Sequence, residues 1–192
     1  MIFDPLCRPW ATLALLCGLC GVAQADGAPA PAPLQTVAQL DLPRYMGTWH
    51  EVAKYPNRFQ RDCVADTSAQ YRLEDGGTVR VSNRCRQADG RFQEAVGQAR
   101  PVGAPGTARL AVRFAPAWLS WWPGVWGDYW VIDLDPAYQL VAVSEPRREY
   151  LWVLSRTPKV DPEAYRALRQ RLAQQGFDLS RLQEAPGAVS PP

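Results

Sequence analysis

Side chains able to do covalent or acid–base chemistry are few in this sequence, and they are scattered. The 192-residue chain has a single histidine, His50. A histidine-rich metal site and a histidine-driven catalytic triad both lack their parts. Three groups could hold a proton beside a bound molecule: Glu51, Tyr129 and Tyr150. Their spacing shows none of the paired geometry that general acid–base catalysis needs, so no catalytic residue, metal or cofactor is expected. A net charge of +2 is too balanced for bulk attraction to nucleic acid. What is plentiful is tryptophan, eight residues in all. Each brings a broad apolar face and one N–H, a combination suited to pockets, interfaces and membrane surfaces. Arginine adds planar forks that fit carboxylate or phosphate. The chemistry on offer is recognition of something greasy with a polar end.

The cysteines place that chemistry in a compartment. Arg8, an apolar run over 10–22 and Ala23-Gln24-Ala25 form a signal-peptide pattern, expected to span 1–25 and to direct the chain to the periplasm. Leu16 and Leu19 precede Cys17 and Cys20, where lipid attachment would want a small residue, so outer-membrane anchoring has no proper lipobox. Cleavage near Ala25 leaves Cys63 and Cys85 in an oxidising compartment, where a disulfide is the default. Counted from the Asp75-Gly76 turn, the two are offset by about three ladder positions, which requires Cys63 to lie in the loop before its strand. Residues 26–39, with alternating Ala and Pro over 28–33, read as a stiff linker, and 183–192 as a disordered tail. One domain, 40–182, lies between.

The elements of that domain follow from alternation and turn chemistry. A short helical approach ends at Gly47, and 48–55 reads as a first strand. Runs at 67–73 and 78–83 flank Asp75-Gly76-Gly77, a strong hairpin signal. Further strands are expected at 92–99, 108–114, 129–134, 140–144 and 150–156, the sixth and seventh joined by Asp135-Pro136-Ala137-Tyr138. One helix follows, capped by Asp161 with Pro162 at its first position, carrying Tyr165, Leu168 and Leu172 on one stripe and stopping at Gly176. The fold class is all-β: an eight-stranded antiparallel up-and-down barrel with one C-terminal α-helix packed outside.

Several of these blocks resemble the lipocalins. Gly47-Thr48-Trp49, Asp135-x-x-Tyr138 and Arg156 match the family's three signatures, and 47–53, 57–59, 127–131 and 150–158 look closer still to its bacterial outer-membrane branch, with apolipoprotein D and plant temperature-induced lipocalins as wider relatives. The resemblance implies a calyx with Trp49 plugging the closed end and Arg156 across its ring, so Gly47, Trp49, Asp135, Tyr138 and Arg156 are expected to be structural. The family's register implies an inward, ligand-binding set of Ala69, Tyr71, Val79, Val81, Leu110, Val112, Phe114, Tyr129, Val131, Val141, Val143, Tyr150, Trp152 and Leu154, joined by Phe59 from the first loop. Arg72, Arg80, Arg109, Arg113 and Trp130 then face outward, and a one-residue slip would bury charge. A barrel filled solid by these side chains is the alternative.

Loops at the open end gather Arg58, Arg61, Arg84, Arg86, Arg147 and Arg148 with Trp118, Trp121, Trp122 and Trp126. They are expected to meet a lipid headgroup or a membrane surface, above an acidic closed end with Glu74, Asp75, Asp133 and Asp135. The competing view is ordinary solvated loops, with the tryptophan loop folded over the barrel as a lid. The leading function is carriage or storage of a fatty acid or lysophospholipid, in envelope maintenance, by a monomer or homodimer. An enzyme acting on a lipid held in the calyx, or a scavenger of pigments and small aromatics, are the alternatives.

Overall fold

The computed structural model describes residues 32–189; the expected signal peptide and the cleavage site at Ala25 lie outside them. Eight strands close into a barrel: β1 (Gly47–Lys54), β2 (Cys63–Leu73), β3 (Val79–Gln87), β4 (Phe92–Pro101), β5 (Arg109–Arg113), β6 (Gly127–Leu134), β7 (Leu140–Ser144) and β8 (Leu151–Ser155). Each pairs antiparallel with its sequence neighbour, and β1 closes the ring by pairing with both β2 and β8. A one-turn helix, α1 (Leu42–Tyr45), precedes β1, and α2 (Pro162–Gln174) follows β8.

Turn residues act where the chain reverses. Gly76 and Gly77 take φ of 80° and 79°, a region open to glycine, and the Glu74 N–H reaches the Thr78 carbonyl at 2.8 Å. At the later hairpin Tyr138 sits at φ 60° while the Asp135 carboxylate accepts the Gln139 N–H at 3.0 Å. Helix α2 starts as expected: Asp161 accepts from the Ala164 N–H at 2.8 Å, and Gly176 at φ 85° ends it.

The apolar residues form two cores. One lies between the barrel wall and α2, where Tyr165, Leu168 and Leu172 pack on Val52, Leu151 and Val153. The Arg171 guanidinium bonds Asp133 at 2.6 and 2.9 Å across that interface, so Asp133 clamps the helix and its charge is paired. The second core fills the closed end inside the barrel. Trp49 is fully buried there; its indole N–H donates to the Tyr45 carbonyl at 2.9 Å and Arg156 lies 3.9 Å over its ring. Arg156 also donates to the carbonyls of Tyr138, Thr48 and Arg44. A Cβ on Gly47, whose φ is 99°, would stand 3.2 Å from that guanidinium. The signature residues thus form one lock at the barrel's base.

Both ends of the described segment are tied down more than the sequence suggests. The linker's second half is a docked strap: Leu34 and Leu40 are buried, and the Val37 N–H bonds the Val131 carbonyl at 3.0 Å. The tail does not begin at 183 either. Gln183–Glu184 forms β9 along β1, Ala188 is buried, and Val189 bridges to Val160. These short apolar residues cover the outer core, which a polar, proline-bearing stretch conceals in the sequence.

Cys63 and Cys85 form a disulfide with Cα atoms 5.5 Å apart. Contrary to expectation, Cys63 is the first residue of β2 and not part of the loop before it. Two bulges in β2, between Cys63 and Ala65 and between Ala65 and Ser68, absorb the offset, with Asp66 at φ 51°.

Candidate ligand-binding cavity

The barrel is hollow. A cavity of about 870 Å³ opens at the end where the β1–β2, β3–β4, β5–β6 and β7–β8 loops gather, which disposes of the solid-barrel alternative. Of the inward set, Ala69, Tyr71, Val79 and Val81 line it from β2 and β3. Leu110, Val112, Phe114 and Tyr129 line it from β5 and β6, and Val143, Tyr150, Trp152 and Leu154 from the β7–β8 side. Val131 and Val141 do not. They are fully buried in the packed floor with Trp49, below the open space. Phe114 is 45% exposed at the rim, where its ring fills the place a side chain on Gly97 would need.

At the mouth Phe59 stands 5.7 Å from Tyr150, which stacks on Trp152 at 5.8 Å and 9°. The Trp152 N–H donates to Gln60 Oε1 at 2.9 Å, and Gln60 Nε2 donates to Glu51 Oε2 at 2.6 Å. Lys54 completes the chain, 3.0 Å from Glu51. Glu51 and Gln60 both line the cavity. Glu51's carboxylate is held by a base and an amide, which orients it as a brace for Trp152. Gln60 carried no signal in the sequence beyond standing next to Phe59. Asn83, also unforeseen, turns inward from β3, and its Oδ1 is buried without a partner.

The arginine rim is smaller than expected. Arg58, Arg84 and Arg147 line the cavity, but so do Glu51, Asp128 and Glu145, so formal charge at the mouth cancels. Partnering separates the two signs only in part, because Arg147 pairs with Glu145 and Glu149 while Asp128 forms no salt bridge among the described residues. Glu145 accepts the backbone N–H groups of Arg147, Glu149 and Tyr150, and Glu51 is bonded as above. Arg58 and Arg84 lie over Phe59 and Phe92, at 5.0 and 3.7 Å, and form no salt bridge among the described residues.

Arg61 and Arg86 do not reach the cavity; they pair with Asp62 and Asp66. Arg148 turns away to the carbonyls of Gln175 and Ala32. Arg113 keeps its outward register, yet it is buried because Trp126 folds over it with their groups 5.2 Å apart. Gly124–Trp126 roofs one edge of the mouth, whereas Trp118, Trp121 and Trp122 are 72%, 76% and 54% exposed. The loop is therefore no lid.

Deep in the cavity three tyrosines meet. The Tyr129 hydroxyl lies 2.7 Å from that of Tyr45 and 3.0 Å from that of Tyr71. Burial pushes Tyr71 up to about 12 and holds Tyr45 and Tyr129 well above the ordinary tyrosine value, so all three stay neutral. Among the described residues no group of three or more His, Cys, Asp or Glu side chains is placed to hold a metal.

A family profile described as a lipocalin-like domain matches residues 40–187. The chain belongs to the lipocalin family. Temperature-induced lipocalin-1 of Arabidopsis thaliana is 38% identical over 162 residues, 83% of this lipocalin and 86% of the relative. The outer membrane lipoprotein Blc of Escherichia coli K12 is 36% identical over 152 residues, covering 79% and 81%. Apolipoprotein D of Bos taurus is 29% identical over 182 residues, covering 88% and 90%. Among solved structures, insecticyanin of the tobacco hornworm Manduca sexta superposes with a TM-score of 0.64 at 17% identity, covering 81% of this lipocalin and 85% of that chain, which supports the fold.

Proposed function

We propose that this lipocalin binds and carries or stores a single-chain amphiphile, a fatty acid or a lysophospholipid, outside the cytoplasm and in service of the cell envelope. The observation carrying this reading is the hollow interior of about 870 Å³, apolar along its walls, with Arg58 and Arg84 unpaired at its mouth. That volume lies in the range of small-molecule sites, about 300–1,000 Å³. Each methylene drawn from water into such walls contributes about 0.8 kcal/mol, and the free guanidinium forks suit an anionic head. The disulfide and the likeness to an outer membrane lipoprotein support an oxidising, extracytoplasmic home. Glu51 and Tyr129 are each engaged by neighbouring side chains, which favours binding over catalysis.

Native mass spectrometry of protein purified without delipidation tests the reading. An acyl-bearing species at one per chain is expected. A coloured or aromatic species would transfer the assignment to a scavenger, for which the Phe59–Tyr150–Trp152 stack would be the binding surface. An empty protein that hydrolyses added lipid would overturn binding in favour of an enzyme.

A further inference from the structure

The calyx floor holds more polar capacity than an acyl chain ending in a methyl group can use. Tyr45, Tyr71 and Tyr129 bring three hydroxyl protons together but share only two contacts, both centred on Tyr129. Each contact consumes one proton, whichever way the donors point. One O–H is always left over. Among the described residues these hydroxyls bond to nothing but one another, while all three rings line the cavity. An unmade hydrogen bond in such a place is costly, and a ligand that supplies an acceptor removes the cost.

The surroundings define that acceptor. Among the described residues nothing cationic is free at the floor: Arg156, whose charge reaches Tyr45, lies on Trp49 and is bonded to three backbone carbonyls. A carboxylate or phosphate buried against one hydroxyl would be left without a counter-charge. A neutral oxygen fits, and the tyrosines remain neutral to match it. We propose that the calyx floor is a polar subsite selecting lipids with a hydroxyl, carbonyl or ester oxygen toward the buried end of the chain. This rests on the lipid-carrier reading and narrows its cargo to oxygenated chains.

The test compares palmitate with ω-hydroxypalmitate on the full-length protein, by titration calorimetry. The two share head and length and differ only in what reaches the floor. ω-Hydroxypalmitate is expected to bind within threefold of palmitate or more tightly. A floor that cannot bond the added hydroxyl would reject it by about tenfold to a hundredfold, and a loss greater than threefold overturns the subsite while leaving the carrier reading in place. Binding of neither acid overturns both. In the triple variant Tyr45→Phe, Tyr71→Phe, Tyr129→Phe, ω-hydroxypalmitate should lose at least tenfold more affinity than palmitate does. An unchanged ratio in the variant overturns the subsite too, since the hydroxyl would then be satisfied elsewhere. Should the variant not fold, the comparison on the unaltered protein decides alone.

Discussion

The buried tyrosines make alkaline stability a readout of the floor. Tyr71 titrates at about 12 in the folded protein and near 10 when unfolded, with burial the main cause, and Tyr45 and Tyr129 shift the same way. Below pH 10 both states keep these protons and stability is insensitive to them. Between about 10 and 12 the unfolded chain loses protons that the folded one retains, so stability falls as pH rises. Urea midpoints followed by circular dichroism should therefore drop steadily above pH 10, less steeply in Tyr71→Phe. A flat profile would mean that water reaches the hydroxyls. At this scale the sequence is informative only where a side chain is apolar. Val79, Val81 and Leu110 declare their direction by alternating with charge, whereas Asn83 and Gln60 face the cavity with nothing in their chemistry to say so. Arg113 shows the converse limit: its register was legible, but the tryptophan that covers it comes from a loop.

Among the elements, β2 departs most from its sequence pattern. Alternation is clear from Ala69 to Leu73 and dissolves toward Cys63, because two bulges bring extra residues into the strand. The disulfide pins that irregular half to β3 across a sequence separation of 22. Closing a loop of this size is worth about 3 kcal/mol in the chain-entropy account. Replacing Cys63 and Cys85 together by Ser should lower the urea midpoint accordingly. Ligand affinity should fall with it, since both cysteines line the cavity; unchanged affinity would show that the bulged half is rigid without its link. Turns and the helix were readable because Gly, Asp and Pro act locally. The docked strap around Leu34 and Val37 and the tail through Val189 were not, because a few apolar residues in a proline-rich stretch reveal a partner only in three dimensions.

For the molecule as a whole, we propose that the exposed tryptophans orient the open end toward a membrane surface. Trp118, Trp121 and Trp122 are exposed on the β5–β6 connection, at the end of the barrel where the cavity opens and Arg58 and Arg84 line it, a combination suited to the headgroup zone of a bilayer. Changing all three to Ser should cut co-sedimentation with vesicles containing anionic phospholipid severalfold, while palmitate binding in solution stays constant. Equal sedimentation of variant and parent would sink the docking idea.

The pairing of β1 governs when any of this can exist. Its lower half bonds to β2, its other edge bonds to β8, and Ala53 and Lys54 wait for Gln183 and Glu184. During synthesis the earliest strand therefore stays unmated along one side until β8, and then β9, has been made. A protein whose first and last strands must find each other cannot close prematurely. For the extracytoplasmic home we propose, that delay lets the chain cross as an open thread and fold on the far side.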